Sequence, residues 1–220
     1  VATAVLLFDL DGTLTDPRAG IVASIRYALE KLDRPIPPDD VLASFIGPPL
    51  RGSFAGLLGT ADPAQVEEAI RLYRERYVPV GLLENQVYDG IPELLEAAGR
   101  RARLLVATSK PAIYAEQIIR HFELDRYFAR VYGAELGGHL ENKADLLAHL
   151  LAAEGIPAGG ALMIGDRAAD VVAARANGLR SIGVLWGYGS ERELRDAGAD
   201  AICATPAELG ALLEDGVISS

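Results

Sequence analysis

The chain of 220 residues carries 31 acidic against 21 basic side chains, a formal net charge of −10 at pH 7, and half of it is hydrophobic. That length builds one core, or one core with a small accessory domain, and the negative balance argues against a nucleic-acid backbone or an anionic membrane as partner. A single cysteine, Cys203, leaves no intramolecular disulfide, and no run approaches the ~18 apolar residues of a membrane span.

The first apolar run, residues 4–8, reads as a buried strand and leads straight into Asp9-Leu10-Asp11-Gly12-Thr13. It is too short, and too soon interrupted by Asp9, to be a signal peptide, so a cytoplasmic protein is expected. In a strand, residues i and i+2 point the same way. Asp9 and Asp11 are therefore expected to aim near one point, unless the chain already turns at Gly12. Carboxylates that close repel, and a divalent cation or a shared proton is the usual compensation.

From residue 15 to about 88 the pattern is helical, with no convincing strand. Asp16-Pro17 is a helix start, followed by Ile21, Ile25, Ala28, Leu29 and Leu32 at helical spacing. Pro35-Ile36-Pro37-Pro38 ends that helix. Asp62-Pro63 starts another, with Val66, Ile70, Tyr73 and Tyr77 on one face. The interval is too long for a loop. It reads as an all-helical domain, residues 15–85, inserted into a core made of 1–14 and 86–220. Its place after the acidic turn suits a lid, with hinges near Thr15 and in Val80-Gly81-Leu82.

Beyond the insert, strands alternate with helices. A helix over 91–101 precedes a strand at 103–107 that ends in Thr108-Ser109-Lys110. A helix over 111–122 and a weaker strand at 129–132 follow. Asn142 caps a helix to 154 with Lys143 in its first turn, where a cation is normally disfavoured. The strand at 161–164 ends in Gly165-Asp166, with Asp170 four residues on in a helix that stops at Gly178. Strands at 181–185 and 201–203 and a helix over 206–213 complete the chain. Near-continuous apolar strands between amphipathic helices indicate an α/β fold with a parallel sheet covered on both faces. Ligands in such sheets bind at the carboxyl ends of the strands.

Taken singly, a Thr after a strand, a lone Lys or a GDxxxD segment is as well read as a cap, a surface residue or a helix start. Their order is specific: DxDGT, then Thr108, Lys143, and Asp166 with Asp170. On these residues the chain resembles the haloacid dehalogenase superfamily of phosphatases, over essentially its full length. The resemblance implies a Rossmann-like core with a C1-type helical cap. It implies Asp9 as nucleophile, forming an aspartyl-phosphate, and Asp11 as general acid and then base. It implies Mg²⁺ bound by Asp9, Asp166 and the Asp11 backbone carbonyl, supported by Asp170 through water or an outer contact. Thr108, Ser109 and Lys143 would hold the phosphoryl oxygens. An acid two residues after the nucleophile suits phosphoryl transfer and argues against a dehalogenase, whose halide leaves without a proton.

The expected partner is a small phosphorylated metabolite, bound by a monomer or homodimer. Arg18, Gly47 in Ile46-Gly47-Pro48-Pro49, and Arg51 are the candidate cap contacts, guanidinium suiting carboxylate and phosphate alike. The strings TDPRAGI, FIGPPL and LWGYGSERELRDAGAD resemble a subgroup of phosphoglycolate phosphatase-like and 5′-nucleotidase-like members. The Gly-Pro-Pro turn departs from the Gly-Asn-Gly associated with phosphoglycolate phosphatases. Nucleoside 5′-monophosphates are therefore favoured, with phosphoglycolate, or a phosphomutase of the beta-phosphoglucomutase type, as alternatives. Phe45, Phe54, Tyr73 and Tyr77 fit core packing at least as well as base stacking. Lys31 reads as a solvated surface residue, His121, His139 and His149 lack metal-ligand spacing, and Trp186 and Tyr188 read as loop packing. Lys110 either flanks the phosphate or caps a helix.

Overall fold

The computed structural model describes residues 4–214. The chain divides into two compact units, Asp16–Gln86 and the combination of Val1–Thr15 with Val87–Ser220. Both junctions fall one residue later than the sequence suggests. β1 (Ala4–Phe8) opens the α/β unit, and β2 (Thr15–Asp16) leads out of it. The insert holds α1 (Arg18–Lys31), α2 (Asp39–Ala43), α3 (Leu50–Leu58) and α4 (Pro63–Arg76), then a π-helical turn at Tyr77–Gly81 and β3 (Gln86–Val87). β2 and β3 pair as a ribbon. The sequence reading held no strand there, because two residues are too few for an alternation to register.

The α/β unit continues with α5 (Ile91–Gly99), β4 (Ala102–Pro111), α6 (Ala112–His121), a 3₁₀ turn at Asp125–Tyr127, and β5 (Arg130–Ala134). Then come α7 (Lys143–Glu154), β6 (Ala161–Gly165), α8 (Ala168–Ala176), β7 (Arg180–Val184), α9 (Glu191–Ala197), β8 (Ala201–Cys203) and α10 (Pro206–Glu214). Among the described residues no helix is long and apolar enough to cross a membrane.

Two helices of the insert, α1 and α4, begin shortly after an aspartate that receives one of their first amides. Asp16 Oδ1 accepts from the Arg18 N–H at 3.0 Å, and Asp62 Oδ1 from the Ala64 N–H at 3.0 Å ahead of α4. Ile21, Ile25, Ala28 and Leu29 of α1 and Val66, Ile70 and Tyr73 of α4 are buried. Tyr73 stacks on Tyr77 with 5.0 Å between centroids and meets Phe54 edge-on at 6.0 Å. These three rings fill the interior of the helical unit, while Phe45 is half-buried.

The six-stranded sheet runs β5-β4-β1-β6-β7-β8, all parallel. Ignoring the small ribbon, that is the doubly wound order in which the chain leaves its first strand toward one edge and returns to build toward the other. Strand parity divides the core. Val5, Leu7, Leu105, Ala107 and Met163 pack with Leu146, Leu147 and Leu150 of α7 and Ala173 and Ala174 of α8. The alternate residues Leu6, Phe8, Leu104, Val106 and Ile164 are equally buried and face the opposite layer. Both faces being covered explains the continuous apolar runs. Phe8 stands level with Val106 on one side and Ile164 on the other. The carboxyl ends of β1, β4 and β6 therefore open together at the point where the strand order reverses.

Candidate active site

Asp9 extends β1 by one ladder bond, its N–H donating to the Ile164 carbonyl at 2.9 Å. Its odd parity places it on the side of α7 and α8. The chain then turns: the Leu10 carbonyl accepts from the N–H groups of Thr13, Leu14 and Thr15 within 3.2 Å. Gly12 takes φ +84°, in the left-handed region that only glycine enters at low cost. Asp9 and Asp11 consequently meet different cations rather than one.

Asp9 meets Lys143. The Asn142 side chain caps α7 through the N–H groups of Ala144 and Asp145. This fixes Lys143 at the first helical position, where its ammonium turns inward and is only 6% exposed. Nζ lies 2.8 Å from Asp9 Oδ1 and 2.9 Å from Asp170 Oδ1. Burial alone would lower the ammonium's pKa, but Asp170 and Asp9 outweigh it and the shift is upward. The cation at the wrong end of a helix dipole is thus held by two carboxylates. Asp170 uses its other oxygen, Oδ2, to accept from the Arg167 N–H at 3.1 Å at the start of α8.

Asp166, at the end of β6, is fully buried. Oδ2 accepts from the Tyr188 N–H at 2.8 Å and Oδ1 from the Thr13 hydroxyl at 3.4 Å. Burial, reinforced by Asp170 and Asp9, pushes its pKa up to about 8. Asp9, Asp166 and Asp170 each present an oxygen, all within 4.8 Å of one another. Three buried carboxylates face one ammonium, which leaves negative charge uncompensated. A small divalent cation would supply that compensation, and an all-oxygen donor set is what Mg²⁺ takes. The residues present therefore fit the metal. The cluster holds Asp9 and Asp166 of the implied ligands and also Asp170, implied only as an outer support; the carboxylate of Asp11, a residue implied to contribute its backbone carbonyl, stands outside it.

Asp11 pairs instead with Lys110, Nζ to Oδ2 at 2.9 Å, both side chains buried. Burial raises the Asp11 pKa, with Lys110 opposing. Oδ1 of Asp11 is buried with no hydrogen-bond partner among the described residues. Sequence reasoning left Lys110 between two roles because it ended the strand at 107. β4 instead continues through Pro111, with its register against β5 slipping between Thr108 and Pro111. Gly133 permits the irregularity, since a Cβ there would crowd Ala112 at 2.8 Å. Thr108 and Lys110 share strand parity, which was the available signal. Thr108 is buried and its Oγ1 accepts from the Lys110 N–H at 3.2 Å, while Ser109 is half-buried beside it.

Arg18, Gly47 and Arg51 lie in the helical unit. Arg18 opens α1 and lines a surface cavity of about 470 Å³ with Asp16, Arg26, Asp39, Glu84 and Gln86. Gly47 occupies a turn at φ +100°. Arg51 is engaged by Glu67, Nε to Oε1 at 2.7 Å.

Residues 6–184 match the model of the haloacid dehalogenase-like hydrolases. A 5′-nucleotidase of Pseudomonas aeruginosa is 50% identical over 210 residues, 95% of each chain. The tyrosine-protein kinase PtkA of Mycobacterium tuberculosis is 40% identical over 185 residues, 84% of this chain and 62% of that one. A phosphoglycolate phosphatase of Cupriavidus necator is 30% identical over 215 residues, 96% of this chain and 93% of the relative. The crystal structure of a predicted phosphatase from Clostridium acetobutylicum superposes with a TM-score of 0.93 at 40% identity, covering 98% of this chain and all of that one. The chain therefore belongs to the haloacid dehalogenase-like hydrolase family, and to the phosphatases within it.

Proposed function

We propose that the chain is a Mg²⁺-dependent 5′-nucleotidase working through an aspartyl-phosphate, an acyl phosphate on Asp9. The observation that carries the substrate class is the 50% identity, over 95% of both chains, with the Pseudomonas aeruginosa 5′-nucleotidase, against 30% for the phosphoglycolate phosphatase. The convergence of Asp9, Asp166, Asp170 and Lys143 supports the chemistry.

A carboxylate oxygen of Asp9 attacks phosphorus in line with the ester oxygen. The P–O bond to the nucleoside breaks, and Asp11 gives its proton to the departing 5′-oxygen. Asp11, now ionised, takes a proton from water. The hydroxide attacks phosphorus, the bond to Asp9 breaks, and inorganic phosphate leaves with Asp9 restored. The upward shift of Asp11 keeps the acid form available, and Lys110 steadies the conjugate base. Lys143, Thr108 and Ser109 bind the phosphoryl oxygens. When bound by Asp9, Asp166, Asp170 and the Asp11 carbonyl, Mg²⁺ would neutralise charge on the transferring group. We assign Arg18 and Gly47 to the leaving group, with Arg18 as its cationic contact. Arg51 is already committed to Glu67.

The test is a panel of nucleoside 5′-monophosphates, phosphoglycolate and hexose phosphates, reading released phosphate with Mg²⁺ and with EDTA. Nucleotides should exceed phosphoglycolate in kcat/KM by at least about tenfold, the ~1.4 kcal/mol of a single good contact. The reverse ranking overturns the substrate, and turnover of a hexose 1-phosphate to the 6-phosphate without free phosphate overturns hydrolysis.

A further inference from the structure

The loop after β7, Leu185-Trp186-Gly187-Tyr188-Gly189, has no part in the steps above, yet it meets the acidic cluster repeatedly. The Tyr188 N–H donates to Asp166 Oδ2 at 2.8 Å. The indole Nε1–H of Trp186 donates to the Thr13 carbonyl at 2.9 Å, and the Thr13 hydroxyl reaches Asp166 Oδ1 at 3.4 Å. A Cβ on Gly187 would overlap the Gly12 carbonyl oxygen and Asp166 Oδ2, and one on Gly189 would overlap the Asp166 carbonyl oxygen. A Cβ on Gly12 would in turn overlap the Asp166 carboxylate.

We propose that this loop is a clamp that sets the orientation of the Asp166 carboxylate for metal binding, with Trp186 as a positioning residue. The proposal rests on the reading of Asp166 as a metal ligand. A terminal carboxylate torsion is broad and nearly two-fold, so a strand end does not by itself fix where the oxygens lie. Here backbone presses on the group from two sides, the Gly12 turn and Gly187. The Tyr188 N–H occupies Oδ2. Oδ1 keeps only a long contact with Thr13 and so retains lone-pair capacity for a cation. The Trp186 indole N–H acts on Asp166 through Thr13. It holds Thr13, and so ties the turn after β1 to the loop after β7 across the end of β6.

Plain loop packing would account for a satisfied indole N–H. It does not account for two glycines at the positions where a side chain would collide with Asp166. Outer contacts that orient a metal ligand typically govern 10–100-fold in metal affinity, that is, about one to two decades.

The experiment measures Mn²⁺ binding by electron paramagnetic resonance on the full chain, without substrate. Trp186→Phe keeps an aromatic ring and removes the donor. Its Mn²⁺ dissociation constant should rise about tenfold, and that of Gly187→Ala further still, toward about 100-fold. Leu213→Ala in α10 serves as a control that destabilises the same unit away from the cluster, and it should bind as wild type. Wild-type affinity in Trp186→Phe overturns the clamp, whether or not Gly187→Ala folds. An equal loss in Leu213→Ala also overturns it, because the effect is then general stability. Failure of the wild-type chain to bind Mn²⁺ sinks the metal reading itself and takes the clamp with it.

Discussion

In the helical unit the buried polar side chains among the described residues are Ser24 and Ser53, and each hydroxyl donates to a carbonyl one turn back, of Gly20 and Pro49. In the α/β unit they include Asp9, Asp11, Thr108, Lys143, Asp166 and Asp170. The first pair donates within its own helices, with Arg76 of the same unit also donating to Ser24 Oγ at 3.3 Å. The second group is satisfied in part by contacts between segments distant in the chain, as when Lys143 meets Asp9 and Lys110 meets Asp11. Ion pairs of the helical unit, such as Arg71 with Glu68 and Glu75, are largely exposed, where solvent and salt screen them. Breaking a buried pair costs about 3–5 kcal/mol. One unit therefore carries chemistry that tolerates little change, and the other carries a surface that can vary without dismantling it.

The sharpest way to break that contrast is Asp9→Asn. It should lower kcat on p-nitrophenyl phosphate by at least about 10⁴-fold, with the circular dichroism spectrum unchanged. A loss under about tenfold would move the chemistry elsewhere. Asp11→Asn comes next, with an expected loss of about 10²–10⁴ on a nucleotide. In the single-turnover phosphorylation step the loss should be smaller on p-nitrophenyl phosphate, whose phenolate leaves without a proton, so equal losses in that step would remove Asp11 from the acid role.

The pH dependence of the metal-free protein follows. Asp166 holds its proton up to about pH 8 when folded and to about 3.8 when unfolded. Folding thus takes up a proton in that window, and stability falls as pH rises through it. Mg²⁺ should therefore raise the melting temperature more at pH 8 than at pH 5, and a larger effect at pH 5 would contradict the assignment. In the helical unit, Arg18→Ala should raise KM for a nucleotide about tenfold, matching ~1.5 kcal/mol for one charge-assisted hydrogen bond. Smallest of all, Arg51→Ala should lower stability in urea by no more than ~1 kcal/mol.

Much of the α/β unit could be read from the sequence because its signals are local. β1 and β8 match the expected bounds, and the Asn142 cap, Lys143 and the Asp166–Asp170 spacing stand where expected. What escaped depends on partners distant in the chain. Lys110 was undecided because β4 runs past an irregularity that Gly133, on another strand, makes room for. Trp186 passed as packing because its acceptor is Thr13, and Gly187 and Gly189 reveal their purpose only once Asp166 lies against them. The π-helical turn at Tyr77–Gly81 left no periodic trace over five residues. Asp11 departed from the shared aim with Asp9 because the Leu10 carbonyl gathers three amides and bends the chain at once.

Asp170 joins the acidic cluster to the fold in a way that can be watched. Oδ1 touches Lys143 while Oδ2 holds the amide that begins α8. A replacement at this position must satisfy the Lys143 ion pair and helix initiation together. The solvent exchange of the Arg167 amide hydrogen is therefore an internal gauge of site occupancy, slowing as the cluster is filled and its carboxylates are drawn taut.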